Sequence, residues 1–151
     1  NYQTYMHEVT VYWEGDMQFT STNPSGNSFF IDTTPENGGE NNGMHPKALM
    51  LSALAGCTGL DVLALLKKKQ IVLDNFTLDV QGKLAKNHPR IYEEVTVNYY
   101  FEGEDLDVEQ ITQVVSLSVE KYCGVIAMFR QFATVHIKLF FNSEEHPYNA
   151  E

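Results

Sequence analysis

The chain of 151 residues is poor in cysteine, and this shortage excludes two classes of protein. Its two cysteines, Cys57 and Cys123, are too few for the disulfide framework of a small secreted domain. They form neither a CxxC pair nor a zinc-ligand pattern. The five histidines are scattered and complete no recognisable ligand set, so we expect no metal and no cofactor.

Positive charge is also scarce: ten Lys and Arg stand against twenty Asp and Glu, giving a net charge of −10 at pH 7. Nucleic acids and anionic membrane surfaces are polyanions, so neither is expected as a partner. No uninterrupted apolar run reaches the roughly 18 residues that a membrane span requires. The polar residues 1–8 lack the apolar segment of a signal peptide. We therefore expect a cytoplasmic protein that does not contact a membrane.

The order of periodic segments predicts an α+β fold with the element order βββα-ββααβ. Residues 1–44 contain three short alternating stretches, the first being "YMHEVTVYW", and a loop rich in Gly and Asn. Residues 71–142 have the pattern of two long strands, an amphipathic helix, a short helix and a final strand. Residues 143–151 form a polar tail. No repeat or linker divides residues 1–151, which predicts a single domain.

Residues 45–70 predict the central helix of this fold. The helix opens with His45-Pro46, and proline is favoured at the first helical position. Apolar residues cover nearly every face between Leu49 and Leu66, so the helix has to be surrounded by other elements. A partner subunit is the simplest cover for a chain of this length. The pattern therefore predicts an obligate homodimer with a large apolar interface.

The two cysteines occupy special positions, and two interpretations of them remain open. Cys57 lies near the centre of the apolar helix, one turn before Asp61, and Cys123 lies at a break between two helices. Free cysteine is among the most frequently buried residue types, so both could simply fill space. A redox pair is the other interpretation. It is favoured by the nearby carboxylate and by the backbone N–H groups after Cys123, which can stabilise a thiolate.

Two segments, "HPKALMLSALAGCTGLDVLALLKKK" and "SVEKYCGVIAMF", resemble the OsmC/Ohr family, most closely its YhfA-like branch. Proteins of that family have a Pro-led central helix with a cysteine among small residues and a second cysteine after a later helix. The similarity follows the element order over nearly the whole chain. It implies an intertwined homodimer in which sheets from both subunits wrap the two buried central helices.

The resemblance also implies a cysteine-based peroxidase of bacterial oxidative stress defence that reduces small organic hydroperoxides. By this similarity, Cys57 would attack the peroxide and become a sulfenic acid. Cys123 would then condense with it to form a disulfide. A dithiol reductant, whose identity the resemblance does not specify, would restore both thiols.

The chain departs from the family's peroxidases at two places. Those enzymes carry a Glu at the start of the central helix and an Arg in the preceding loop. Here the helix starts with "PKAL", and no arginine precedes Arg90. An apolar pocket disfavours a thiolate, so Cys57 needs a cation nearby to be reactive. One hypothesis is that Arg130 faces Asp61 or Cys57 and supplies this cation; the other is that Arg130 is a solvated residue on the surface.

Other polar residues are candidates for supporting roles. His45 is either a proton donor at the mouth of the pocket or a residue of the helix start. Glu120 either tunes the neighbouring Cys123 thiol or lies on a solvated helix face. Asp61 needs a partner in such an apolar helix, through a structural hydrogen bond or a functional contact.

A second function, of a different class, also fits the sequence. The chain could be a non-catalytic relative that keeps the fold and binds a small apolar ligand, having lost peroxidase activity with the missing Arg and Glu. Tyr99 and Phe101, together with Met128 and Phe129, are candidates to line such a pocket, the alternative being core packing. Turnover of a hydroperoxide separates the two functions.

Overall fold

The computed structural model of the chain describes residues 6–149 and shows a mixture of helices and strands. This confirms the predicted α+β class. The start of the first predicted strand, at Tyr5, and the end of the tail lie outside the described residues. The chain forms two compact units, residues 1–50 and residues 51–151, and their boundary falls within the central helix, α1 (Pro46–Lys68). The single domain over residues 1–151 stays a prediction.

The first unit contains a three-stranded antiparallel sheet. Its strands are β1 (Thr10–Gly15), β2 (Gln18–Thr22) and β3 (Ser28–Ile31), in the order β1-β2-β3. Gly15 (φ 102°) and Asp16 (φ 48°) have left-handed backbone conformations in the tight turn between β1 and β2. Glycine adopts such a conformation without steric cost, and aspartate tolerates it better than most residues do. These two residues therefore allow β1 and β2 to join through a tight turn.

A buried carboxylate organises the loop between β3 and α1. Asp32 accepts backbone N–H bonds from Thr33 at 2.7 Å, Glu40 at 3.2 Å and Asn42 at 3.0 Å. These bonds, with that of Asn42 the strongest, lower the pKa of Asp32. Because one side chain binds three points of the loop, the Gly-rich segment has a defined path into α1.

The second unit contains a four-stranded sheet of order β4-β5-β6-β7. β4 (Asn75–Leu84) is antiparallel to β5 (Tyr92–Glu102), and β6 (Thr134–Phe141) is parallel to β5. β7 (Glu144–His146) pairs antiparallel with β6, although it lies in the segment predicted as a polar tail. Three residues are too few to show an alternating pattern, so only the pairing with β6 reveals this strand.

Two helices follow the long strands. α2 (Val108–Leu117) starts after Asp107, whose side chain accepts the backbone N–H of Gln110 at 3.1 Å. A π-helical turn, Ser118–Tyr122, continues α2. One extended residue, Cys123, separates this turn from α3 (Gly124–Phe129). The helix break predicted at Cys123-Gly124 is therefore found at that point.

The core of the second unit lies between α1, β5 and α2. Alternate residues of β5 point inward and are fully buried, as the period of two along a strand requires. The fully or nearly fully buried side chains are Leu54, Val62, Leu66, Val95, Val97, Tyr99, Phe101, Ile111, Val114 and Val115. In the described part of the chain, one face of α1 is buried, while Leu60 and Leu63 on its other side are 69% and 47% exposed.

By length and composition, α1 is long and apolar enough to cross a membrane, although polar residues interrupt its apolar sequence. One such helix is weak evidence for a span, because a core helix meets the same criterion. The inner face of α1 packs against the sheet of its own unit, and two of its polar residues, Thr58 and Asp61, hydrogen-bond within the protein. This face of α1 therefore contacts protein.

Truncating the inner face of α1 is expected to destabilise the fold. Val62 is fully buried, so Val62→Ala should lower the free energy of unfolding by about 2 kcal/mol, through lost burial and the cavity that remains. Val72 is 81% exposed and provides the matched control, since Val72→Ala deletes the same atoms from the surface. Urea denaturation measures both. Equal effects of the two substitutions would contradict the described packing of α1.

Candidate functional site

The structure brings Cys57 and Cys123 together from distant parts of the sequence. Cys57 is half-buried in α1 and packs against the core cluster that contains Cys123, which is 4% exposed. Both are free thiols. They are close enough for the Cys57 thiol to interact directly with that of Cys123. The neighbourhood of each sulfur therefore includes a second thiol as well as the apolar core.

Burial controls the protonation of Cys123. The residue precedes α3, and the backbone N–H of Ile126 donates to its Sγ at 3.4 Å. That bond favours the thiolate, as the sequence predicted. Desolvation is the larger effect and the nearby Cys57 adds to it, so the pKa of Cys123 is raised rather than lowered. Cys123 therefore stays a protonated thiol at neutral pH.

A chain of buried hydroxyl groups runs beside the cysteines. Tyr99 Oη lies 2.6 Å from Thr58 Oγ1, and Thr58 Oγ1 lies 2.8 Å from Ser118 Oγ. Ser118 Oγ donates to Asp61 Oδ2 at 3.0 Å. The three hydroxyl-bearing residues are buried, and desolvation raises the pKa of Tyr99. The partner that Asp61 requires is therefore a serine hydroxyl.

The sequence interpretation missed Thr58 and Ser118 as members of this site. A signal was present for both residues. Thr58 is a hydroxyl residue in the middle of an apolar helix, directly after Cys57. Ser118 follows Val114 and Val115 at helical spacing and so falls on the apolar face of α2. A polar residue in the apolar stripe of a helix needs a buried partner, and two such residues are natural partners for each other.

Of the two positions considered for Arg130, the structure shows the one on the surface. Its guanidinium pairs with Glu120 through two bonds of 3.1 Å each, instead of facing Asp61 or Cys57. The hydroxyl of Tyr148 donates to the same carboxylate at 3.1 Å. The hydrogen bonds from Arg130 lower the pKa of Glu120. Because Glu120 already neutralises the guanidinium, Arg130 does not face Asp61 or Cys57.

Cationic side chains do not contact the thiols in the described part of the chain. Within residues 6–149, neither sulfur has a hydrogen bond or ion pair with a Lys or Arg side chain. His45 is exposed at the start of α1, and its Nε2 lies 2.9 Å from Asn41 Oδ1. A proton-donor role for His45 stays a prediction. So does the tuning of the Cys123 thiol by Glu120.

The four residues proposed to line an apolar pocket do not form one in the described subunit. Tyr99 and Phe101 are fully buried, Phe129 is 2% exposed and Met128 is 63% exposed. The first three belong to the core and the fourth to the surface. A groove of about 910 Å³ lies elsewhere, along β6, and its lining includes the charged residues Lys83, Glu94, Glu120, Arg130, Lys138 and Glu145 but neither cysteine.

The raised pKa of Cys123 gives a pH dependence that can be measured. In Cys57→Ala, Cys123 is the one remaining thiol, and its reaction with methyl methanethiolsulfonate should increase with a midpoint above the ordinary thiol value of 9.0. Desolvation remains in this variant, while the contribution of Cys57 is lost. Because the pKa of Cys123 is higher in the folded than in the unfolded protein, the stability of the fold also depends on pH. The contribution of this thiol is fully present below its unfolded pKa and is lost as the pH rises through its folded pKa. A midpoint at or below that of the urea-unfolded variant would contradict the described burial.

Comparison with known proteins gives consistent results at the level of sequence and of fold. Protein YhfA of Escherichia coli K12 is 24% identical over 128 residues, covering 85% of this chain and 92% of its own. A solved structure of a hypothetical protein from Aquifex aeolicus VF5 superposes with a TM-score of 0.79 at 30% identity, covering 91% of this chain and 96% of that one. The organic hydroperoxide resistance protein OhrB of Bacillus subtilis superposes with a TM-score of 0.60 at 22% identity, covering 90% and 98%.

The family assignment rests on a match to a whole-family pattern. Residues 39–138, which include α1 and both cysteines, match the family described as OsmC-like protein. The resemblance seen in the sequence is thereby confirmed, including the similarity to YhfA. The chain is a member of the OsmC-like protein family.

Proposed function

We propose that this OsmC-like protein is a cytoplasmic, cysteine-dependent reductase of organic hydroperoxides. The observation that carries the proposal is the pair of free thiols, Cys57 and Cys123, which meet at one edge of the core. A protein of similar fold supports it, because the B. subtilis protein is named an organic hydroperoxide resistance protein. Fold similarity alone does not transfer an activity, so the chemistry rests on the thiols.

The proposed cycle uses both sulfurs. The Cys57 thiolate attacks the distal oxygen of the hydroperoxide, the O–O bond breaks, and the alkoxide leaves as an alcohol after taking a proton. Cys57 is then a sulfenic acid. Cys123 attacks its sulfur, an S–S bond forms, and the hydroxyl leaves as water with the Cys123 proton. A dithiol reductant cleaves the disulfide and is itself oxidised, so one hydroperoxide is consumed for each dithiol.

The surroundings of the two cysteines suit different steps of this cycle. Cys57 is the less buried, which gives a small peroxide access to it. Cys123 is protonated and buried, and a neutral buried thiol reacts poorly with peroxide in solution. Cys123 would therefore remain reduced until Cys57 is oxidised beside it. Asp61, engaged with Ser118, would support the arrangement rather than react.

A second candidate function is favoured by the position of Arg130. The guanidinium is neutralised by Glu120, and neither thiol has a cationic partner within residues 6–149. A thiol without a neighbouring cation is a slow nucleophile. A non-catalytic relative that binds a small apolar ligand would show this arrangement. In that case Arg130 and Glu120 would serve only to hold the π-helical turn to α3.

We also propose that the protein works as a homodimer. Among residues 6–50 the buried side chains are Ser21 and Asp32, both polar, so the apolar residues of this unit are not buried within one subunit. Val9, Trp13 and Phe30 are 66%, 69% and 51% exposed. The sequence neighbours Tyr12 and Trp13 point to opposite sides of β1 and both are exposed, so neither face of this strand is covered. Apolar surface of this extent requires a partner.

A second copy of the chain is the occupant that this surface fits. The outer face of α1 exposes Leu60 and Leu63 beside small residues such as Ala53 and Gly56, which permit close approach of another helix. Two such faces related by a twofold axis would bury each other. No charge opposes this contact between Met50 and Leu66 except Asp61, which is engaged by Ser118.

Charge placed on the outer face of α1 should disrupt the dimer. The wild-type protein is expected to elute with twice the subunit mass of 17.1 kDa in size-exclusion chromatography with light scattering. Leu63→Glu should weaken association by at least about tenfold, since an unpaired charge in an apolar interface costs more than 1.4 kcal/mol. Val72→Glu is the control, because Val72 lies outside α1 and is 81% exposed. A wild-type protein that is monomeric at micromolar concentration would contradict the proposal.

Peroxidase activity is expected to depend on Cys57. Wild-type protein with dithiothreitol should consume cumene hydroperoxide, and Cys57→Ser should lower the rate to that of the reaction without protein. In the absence of dithiothreitol, Cys123→Ser should consume one equivalent of hydroperoxide and leave a sulfenic acid at Cys57 that dimedone labels, since no protein thiol remains beside it to resolve it. Mass spectrometry of the labelled protein detects this adduct.

Two outcomes separate the candidate functions. Consumption by wild type that disappears in Cys57→Ser supports the reductase. Background rates in both proteins contradict the reductase and support the non-catalytic binder. Equal rates above background in both would show that the turnover does not use Cys57.

A further inference from the structure

We propose that Thr58, Ser118 and Tyr99, with Asp61, form a buried positioning network that aligns the Cys123 sulfur for attack on oxidised Cys57. The inference rests on the proposed function in one respect: it takes Cys123 to be the thiol that resolves Cys57. None of the three hydroxyl groups contacts a sulfur atom by a described hydrogen bond. They are positioning residues rather than catalytic ones.

The Asp61 carboxylate, which can only accept, fixes the direction of the hydrogen bonds in the network. The Asp61 carboxylate oxygen accepts, so Ser118 donates to it. With its one proton committed there, Ser118 accepts from Thr58, and Thr58 in turn accepts from Tyr99. Each hydroxyl proton has an acceptor. The Ser118 hydroxyl also lies 3.5 Å from the Thr58 carbonyl oxygen, which is a longer contact than its bond to Asp61. The described buried polar side chains of residues 6–149 all have partners. A fully satisfied buried network specifies one arrangement of its elements.

The network connects the two segments that carry the sulfurs. Thr58 follows Cys57 directly in α1. Ser118 is the first residue of the π-helical turn, and its carbonyl accepts the backbone N–H of Cys123 at 2.8 Å. One short hydrogen bond, Thr58 to Ser118, therefore links the helix of the first cysteine to the anchor of the second.

Apolar packing alone would not fix this alignment. The surrounding contacts are apolar and less directional than hydrogen bonds, so they allow small shifts of α1 against the turn. Hydrogen bonds of 2.6 and 2.8 Å between buried groups allow much less. Formation of a disulfide requires the two Cα atoms to lie within roughly 4.4–6.8 Å of each other with the correct side-chain directions. A displacement of about 1 Å at a reacting pair can cost about a hundredfold in rate.

The experiment measures the attack of Cys123 without any hydroperoxide. Dithiodipyridine reacts with Cys57 to form a mixed disulfide and releases one thiopyridone. Cys123 then attacks the Cys57 sulfur, forming the protein disulfide and releasing a second thiopyridone, which takes the proton of Cys123. Both releases are followed by absorbance in the stopped flow. Cys123→Ser should release only one equivalent of thiopyridone, so this variant gives the rate of the first step alone.

Removing the central hydroxyl is expected to slow the second release selectively. Thr58→Val has nearly the same shape but loses both hydrogen bonds, and we expect the second release to slow at least about tenfold with the first release changed by less than about twofold. Thr58→Ser keeps the hydroxyl and should restore the rate to within about threefold of wild type. A variant that is merely destabilised would expose Cys57 and accelerate the first release instead.

Two further variants keep the test decisive. Thr112→Val is the matched control, since Thr112 bonds only to the carbonyl of Val108 within α2, and it should leave both releases unchanged. Ser118→Ala removes the second hydroxyl without adding volume and should slow the second release like Thr58→Val, even if the latter folds poorly. All rates are compared below the melting temperature of each variant.

The possible results distinguish this inference from the proposed function. An unchanged second release in both Thr58→Val and Ser118→Ala overturns the inference, as does equal slowing in Thr58→Ser and Thr58→Val. Failure of the wild type to release a second equivalent overturns it as well. Absence of hydroperoxide turnover together with a selective loss in Thr58→Val contradicts the reductase and supports the positioning network.

Discussion

The structure of the second unit depends on one requirement: the hydroxyl of Thr58 lies in the apolar core and has to be satisfied there. An unpaired buried hydroxyl costs about 1–3 kcal/mol, a large fraction of the stability of a small domain. The protein meets this requirement with Tyr99 from β5 and Ser118 from the π-helical turn. Three elements are thus tied together at one point, which lies beside the cysteines. The same contacts join the two segments that carry the sulfurs.

The charged side chains Arg130 and Asp61 are engaged by groups other than the thiols. Arg130 is bound to Glu120, and Asp61 is engaged by Ser118, so neither ion acts freely on Cys57 or Cys123. Burial is then the main influence on Cys123 and keeps it protonated. A resolving thiol benefits from this environment, whereas a peroxidatic thiol would need help from a cation. The roles proposed for the two cysteines agree with this difference in their surroundings.

The single subunit buries only part of its apolar surface. The second unit has a continuous core, while the described residues of the first unit bury no apolar side chain, and α1 presents Leu60 and Leu63 to solvent. Such a distribution is typical of a chain whose folding and association are coupled. The proposed dimer would also account for the membrane-like composition of α1, because its outer apolar face would then contact protein as its inner face does.

Local pattern was sufficient to predict the order of the main elements as far as β6, the helix break at Cys123-Gly124 and membership of the OsmC-like family, because strand alternation, turn residues and the Pro-led helix are properties of neighbouring residues. The partner of Arg130, the protonation of Cys123 and the hydroxyl network were decided only by tertiary structure. Each depends on groups far apart in sequence, such as Thr58 and Tyr99, and on a balance between burial and hydrogen bonding. Desolvation is a property of the packed molecule, and no segment taken alone contains it.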